Sequence, residues 1–513
     1  RYVRIPTEIT ESGDIMEKYL IVYGKYEGME ASAVNLLTAE ISRYTNSPPT
    51  VARANDTGAD GLCGKDVVIL GTLSDNRLLA DKYGSVADGD SEGYAVEVGE
   101  RDGRNVIFIA ANEMQGVYYG VVDFISSYLP TVAPTLFPNP NVKGAFDAPF
   151  NRLMPPFAIE KRPCVRNRAI WTWGHCILGY RKFFENMSLV RLNEVVIWND
   201  CLPINAKEIV RFAHSYNIRV IWGFAWGWDT HCAEFDIKKC FDPSEVSAFA
   251  DKTLEYYEKE LLPSGADGIY FQSFTELPND CINGINIADA VTAWVNGIAG
   301  RLFDKYPDLE ILFGLHATSV ARHLDCIAGV DKRIRIIWED CGAFPYNYNP
   351  SKTDNYAATE AFTDRIATLR GSGEKFGCVY KGMTTLCWAA AVEGGRDNSV
   401  VEIFEHIDRR YVLGENSAAE IDALCAERLP SWKYYTAKWI KNADFAARLT
   451  RRISEKTDTD ADIQLLVEYG AFEKAIMPPV ALAAEMLWQP CGETADIVER
   501  VMQSPFVKVP QTG

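Results

Sequence analysis

Acidic, aromatic and histidine side chains recur in this sequence at the ends of short apolar runs. In chain order they are Trp173 and His175; Trp198, Asn199 and Asp200; Trp226, Trp228, Asp229 and His231; Gln272, Thr275 and Glu276; His316; Trp338, Glu339 and Asp340; and then Lys381, Trp388 and Glu393. An apolar strand ordinarily runs out into Gly, Ser, Asn or Lys. Here nearly every run ends in a Trp or a carboxylate instead. Trp rings stack on the apolar C–H faces of sugars, while carboxylates and amides bridge hydroxyls. Two carboxyl groups in such a setting can divide the cleavage of a glycosidic bond: one stays protonated as general acid, and the other is ionised as base or nucleophile. Glu276 and the Glu339/Asp340 pair are the candidates. They lie two strands apart, close enough to face each other across a barrel mouth.

Each position has a plainer reading beside the chemical one. Glu276 precedes Leu-Pro-Asn-Asp and would serve equally to hold a loop. Glu339 and Asp340 are adjacent, and adjacent strand residues point to opposite faces, so at most one faces the centre. Asp200 is a loop cap or a binding residue. Of Trp173, Trp198, Trp226 and Trp228, two are expected to line the cleft and the rest to fill core; Trp388 is a further candidate subsite wall. His175, His231 and His316 come from the first, third and fifth runs, without a close H-x-H pair. Hydrogen bonding to a sugar or to a catalytic carboxylate is therefore preferred over metal ligation. Asn199, Gln272 and Thr275 are candidate hydroxyl partners. Lys381 either neutralises a carboxylate of the protein or holds one of the substrate. No metal and no cofactor are expected.

The elements that must position these residues follow a pattern. From residue 166, short apolar strands alternate with amphipathic helices, the signature of a parallel sheet covered by helices. The strands are read as 168–173, 194–199, 219–226, 268–274, 310–316, 334–340, 377–383 and 385–390, with the last two crowded together. A (β/α)8 barrel places its site on the loops after the strands, where these residues fall. Residues 1–150 read as a small α/β domain, with strands at 19–24 and 65–72, helices at 30–45 and 113–129, and a hairpin over 93–112 turning at Asp102-Gly103. Residues 130–165 are Pro-rich and read as a linker. The barrel is expected over 151–411 and a helical C-terminal region over 412–513.

Composition bounds the partners. The chain has 513 residues, enough for two or three domains of roughly 100–200 residues each. Its net charge is -18, which disfavours nucleic acid and anionic membrane surfaces, both of which need clustered Lys and Arg. No apolar run is long enough to span a bilayer. The thirteen cysteines are scattered without zinc spacing, which suggests reduced thiols and a cytoplasmic setting. The chain starts Arg-Tyr-Val rather than Met, so a trimmed leader could precede it. Oligomeric state stays open: the helical region could cover the cleft of its own chain or of a neighbour in a homo-oligomer.

The segment GYAVEVGERDGRNVIFIAANEMQGVYYGVVDFISSYL (93–129), a hairpin leading into a helix with G-x-x-Y-G, resembles the end of the N-terminal domain of two groups of glycoside hydrolases. These are the β-N-acetylhexosaminidases of family twenty and the α-glucuronidases of family sixty-seven. The resemblance covers about 150 residues and the order of domains. It implies a barrel that acts on carbohydrate, with Glu276 matching the fourth-strand general acid. The hexosaminidases resembled carry an Asp-Glu pair at that place, and here the pair is Thr275-Glu276. The reading is thus a glycoside hydrolase. The alternatives are a carbohydrate-binding relative without turnover and, third, a metal-dependent hydrolase.

Overall fold

The computed structural model describes residues 19–45, 48–129, 153–172, 177, 179–198, 202–203, 205–226, 236–277, 279–317, 319–339, 356–371, 375–383, 432–457, 460–467 and 471–510. The chain divides into two units, the first reaching Pro163 and the second running from Cys164 to Met502. No helix among the described residues is long and apolar enough to cross a membrane.

The first unit is a six-stranded sheet. Its elements are β1 (Tyr19–Tyr23), α1 (Gly28–Thr45), β2 (Thr50–Arg53), β3 (Asp66–Thr72), α2 (Arg77–Ala80), β4 (Tyr94–Arg101), β5 (Arg104–Ala111), α3 (Met114–Asp123) and β6 (Phe157–Lys161), in the sheet order β2-β1-β3-β5-β4-β6. β1, β2, β3 and β5 are parallel, and β4 is antiparallel to β5 and β6. The hairpin turns where Asp-Gly predicts it: Asp102 and Gly103 both have positive φ, 54° and 74°. The Pro-rich stretch read as linker is not wholly one. Its Phe157–Lys161 pairs along β4 at the sheet edge; set between Pro155-Pro156 and Pro163 and ending in two charges, it lacks the apolar run of a buried strand.

The second unit is a closed barrel of eight parallel strands surrounded by helices. The strands are β7 (Asn167–Trp171), β8 (Glu194–Trp198), β9 (Arg219–Ala225), β10 (Gly268–Gln272), β13 (Glu310–Leu315), β14 (Arg335–Trp338), β15 (Phe376–Tyr380) and β16 (Ala461–Leu466); β11 (Cys281–Ile282) and β12 (Ile285–Asn286) form a small hairpin after β10. Seven of the eight agree with the sequence reading. The eighth does not. The barrel is closed by Ala461–Leu466, which pairs with both β15 and β7, whereas residues 384–390 lie outside the described residues. The barrel therefore draws its last strand from beyond Tyr411, and the crowding of two strands near 380 disappears. The physical reason is the composition of β16. Ala461, Ile463 and Leu465 pack against the helices, but Asp462 and Gln464 point into the barrel, so the strand lacks the continuous apolar run of a buried parallel strand. The rest of the C-terminal region is helical, with Ala443–Thr457, Pro478–Trp488 and Thr494–Gln503.

Alternation sorts the barrel's side chains. One residue from each strand forms an inner apolar layer: Trp171, Val196, Ile221, Tyr270, Leu312, Ile337, Val379 and Leu466. Below it, at the N-terminal ends, Arg219 bridges Glu194 at 2.9 Å and Glu310 at 3.2 Å, and Arg335 reaches Glu310 at 3.4 Å and Asp462 at 4.0 Å. Arg335 also meets Asp460 at 3.5 Å, so two guanidinium groups face four carboxyls. Burial above all, with the neighbouring Asp462 carboxylate, pushes the Glu194 carboxyl well up.

A raised carboxyl contributes stability that is complete below the unfolded-state value, about 4.3, and is lost as pH rises through the folded value. Glu194→Gln, isosteric with the protonated acid, removes this loss. In urea titrations between about pH 5 and 8, wild-type barrel stability should fall relative to the variant as pH rises. Parallel profiles would show that Glu194 is ionised in the folded barrel.

Candidate active site

Two residues above the inner layer, the same alternation delivers polar side chains to the C-terminal mouth. Trp198, Gln272, Glu339 and Lys381 each lie two positions beyond an inner-layer residue of their strand; His316 lies four beyond Leu312, with Gly314 between. The parity decides between the adjacent carboxylates. Ile337 is inside and Trp338 packs against the helices, so Glu339 is the residue that faces the barrel axis. Asp340 lies outside the described residues.

Glu339 is 1% exposed and carries a full set of donors. Its Oε1 accepts from the Tyr270 hydroxyl, and its Oε2 accepts from Gln272 Nε2. His316 Nε2 lies 3.0 Å from Oε2. Burial by itself pushes a carboxyl up, but the charge of His316, with the hydrogen bonds from His316, Tyr270 and Gln272, outweighs it and holds Glu339 below the ordinary glutamate value. The partner shifts in the complementary sense. Burial depresses an imidazolium, but the Glu339 charge and hydrogen bond prevail; Glu276 adds to them, Lys381 opposes them, and His316 is raised. The result is a buried His316–Glu339 contact at the floor of the mouth in which each partner favours the charged form of the other, with Glu276 near enough for its charge to act on the imidazole.

Glu276 is itself exposed, on the turn that follows β10. That turn is fixed from below. Ser273 Oγ donates to the Trp226 carbonyl at 2.8 Å, Thr275 Oγ1 accepts the His316 N–H at 3.3 Å, and Ser319 Oγ donates to the Thr275 carbonyl. Thr275 is fully buried, so it braces the loop and His316 rather than meeting a ligand. Trp226 is also misplaced by the strand-end reading. It sits one residue off the inward parity, fully buried between sheet and helices, and stacks on Phe271 with ring centroids 3.7 Å apart. Trp198 does reach the mouth. Half-buried, it meets Tyr270 edge-on at 5.8 Å over Gly223, where a Cβ would come within 2.9 Å of its ring.

Trp173, His175, Asn199, Asp200, Trp228, His231, Trp388 and Glu393 lie outside the described residues. Among the described residues, no group of three or more His, Cys, Asp or Glu side chains could hold a metal ion. Sequence reasoning missed Tyr270 and Gly314. Tyr270 lies mid-strand and reads as core; its signal was the alternation that places it under Gln272. Gly314 is an inward position left without a side chain because Glu339 and Tyr270 occupy the space. A Cβ there would lie 2.0 Å from Glu339 Oε1 and 2.1 Å from the Tyr270 hydroxyl oxygen.

Gly314→Ala must therefore displace the Tyr270–Glu339 contact. Overpacking of this kind costs about 1–3 kcal/mol. The barrel's denaturation midpoint should fall accordingly, while Gly300→Ala, inside the helix Ile287–Lys305 where nothing stands within 4 Å of the added carbon, should hold or raise it. A Gly314→Ala protein as stable as wild type would mean that the site tolerates a shifted Glu339.

No family model matches the chain, and no curated protein matches it. Solved structures of similar course include CpGH84B, at 10% identity over 95% of this chain and 70% of that one, with a TM-score of 0.49. CpGH84D follows at 14% identity over 71% and 56%, TM-score 0.41. A GH138 enzyme targeting pectin rhamnogalacturonan II is similar at 9% identity over 92% and 51%, TM-score 0.44. The chain spans about half the length of the last two. All three carry glycoside hydrolase designations, and families twenty and sixty-seven are not represented among these three. Likeness this distant says nothing about the site, and the barrel stands on its own strand register.

Proposed function

We propose that the chain is a glycoside hydrolase whose second unit holds the active site. The observation that carries this reading is Glu339: a carboxylate kept ionised by His316, Tyr270 and Gln272 at the mouth of the barrel, with Glu276 on the neighbouring turn and Trp198 beside it. In this reading Glu276 protonates the leaving oxygen. Glu339 attacks the anomeric carbon or activates water, depending on the carboxyl separation in the sugar-bound state. Trp198 supplies a stacking face, and Gln272, His316 and Lys381 supply polar contacts at the floor. Thr275, buried beneath the loop, is not placed to orient a substrate acetamido group, so substrate-assisted cleavage of an N-acetylhexosamine is not part of the proposal.

One observation favours a second reading. Both Glu339 oxygens are already engaged and the residue is nearly inaccessible, as suits a carbohydrate-binding relative that has lost turnover. The same experiments separate the two.

Glu276→Gln should lower kcat/KM on an oligosaccharide with an unactivated leaving group by about 10²–10⁴-fold, and by much less on an activated aryl glycoside. Glu339→Gln should abolish both activities. Unchanged oligosaccharide turnover by folded Glu276→Gln would remove Glu276 from the acid role. Glycan binding without hydrolysis by wild type across a broad panel would leave the binding-only reading.

The pH profile supplies a further check. Because Glu339 is held below its ordinary value, its ionised form survives into acid, and the acidic limb of kcat/KM lies below the usual glutamate range. His316→Gln removes the main opposing charge and leaves burial opposed only by the Tyr270 and Gln272 hydrogen bonds, so that limb should move to higher pH. A limb that stays put in an active variant would assign it to another group.

A further inference from the structure

The small first unit contains a site that its own chain fills. In the order β2-β1-β3, α1 carries the chain from β1 to β2 on one side, and β3 lies on the other. The loops after β1 and β3 therefore diverge and leave a crevice at the carboxyl ends of the two strands, where open α/β sheets bind their ligands. The loop after β1 runs Gly24-Lys25-Tyr26-Glu27 into the N-terminus of α1. Exposed N–H groups and a helix N-terminus in this position suit an anion.

The occupant is Glu30, from the first turn of α1. Its side chain is 0% exposed, and Oε1 accepts the N–H groups of Gly24 and Lys25, both at 2.8 Å. Oε2 has no hydrogen-bond partner among the described residues. Two glycines let the loops close around the carboxyl. At Gly71, φ +145°, an added Cβ would meet Asn76 at 3.1 Å, the Gly24 nitrogen at 3.2 Å and Glu30 Oε1 at 3.3 Å; at Gly24 it would meet the Asp75 carbonyl carbon at 2.9 Å. The Lys25 side chain is not part of this cradle, since it pairs with Glu27 at the surface. Burial, opposed by the N–H groups of Lys25 and Gly24 and reinforced by Asp75, brings the Glu30 carboxyl up to about 7.

We propose that this crevice is a carboxyl site that the chain occupies with its own Glu30 side chain, and that it takes a small free carboxylate or its conjugate acid once that side chain is shortened. The same occupancy closes the crevice to the phosphates of a nucleotide, so the first unit does not use the ligand position common to its architecture.

The test is Glu30→Ala in the full chain, read by amide hydrogen exchange of the segment from Tyr19 to Gly28, with sodium formate as probe against sodium chloride at equal ionic strength. Loss of two hydrogen bonds to a carboxylate should speed exchange of this segment by roughly ten-fold or more. Formate should restore its protection in the variant and leave the wild type unchanged. A folded variant whose loop exchanges as slowly as wild type, or whose fast exchange is indifferent to formate, would overturn the proposal. If Glu30→Ala does not fold in chloride, refolding yield in formate decides: recovery supports the site, and no recovery rejects it.

Discussion

A side chain that points into a closed eight-stranded barrel has only three places to be: among the other inward side chains, or at one of the two mouths. The inward residues of single strands show the consequence. On β14 they run Arg335, Ile337, Glu339; on β13, Glu310, Leu312, Gly314, His316; on β8, Glu194, Val196, Trp198. The middle position is apolar because water does not reach it, and the outer positions are polar or aromatic because they meet either solvent or each other. The candidate site is thus the upper end of the same pattern that builds the core.

The two ends treat buried charge differently. At the N-terminal end the carboxyls meet guanidinium groups, which remain charged at any ordinary pH, and burial pushes the Glu194 carboxyl up. At the C-terminal end Glu339 meets an imidazole and two neutral donors. A pair of this kind can change its charge when a substrate or a proton arrives, which a guanidinium pair cannot. Perturbed acidity alone does not mark a functional site, since the lower cluster is also strongly perturbed; its position at the stability end of the barrel separates the two cases.

Much of this was readable from the sequence because a parallel strand buried on both faces writes a continuous apolar run. Seven barrel strands show one, and counting outward from their ends reached Trp198, Gln272, His316, Glu339 and Lys381. β16 was illegible because Asp462 answers to Arg335 two strands away, a relation that local pattern does not contain. Trp226 was misjudged by a single residue of parity, and one residue is the whole difference between cleft and core in a strand. Thr275 sat beside the right residue but turns under the loop to hold the His316 amide. Tyr270 looked like core and is core, yet its hydroxyl extends upward to Glu339.

Three buried carboxyls in this chain have three kinds of partner, and the partners decide what each can do. Glu30 is held by backbone N–H groups, which neither titrate nor move without the fold. Glu194 is held by a guanidinium under an apolar layer that closes it from the mouth. Only Glu339 has a titratable side chain as its main partner, a second carboxylate acting on that partner, and a place above the layer. Burial is common to all three and so explains none of the difference. The proposed chemistry falls at the end of β14, where the charge balance can be altered by a ligand without first unfolding the barrel.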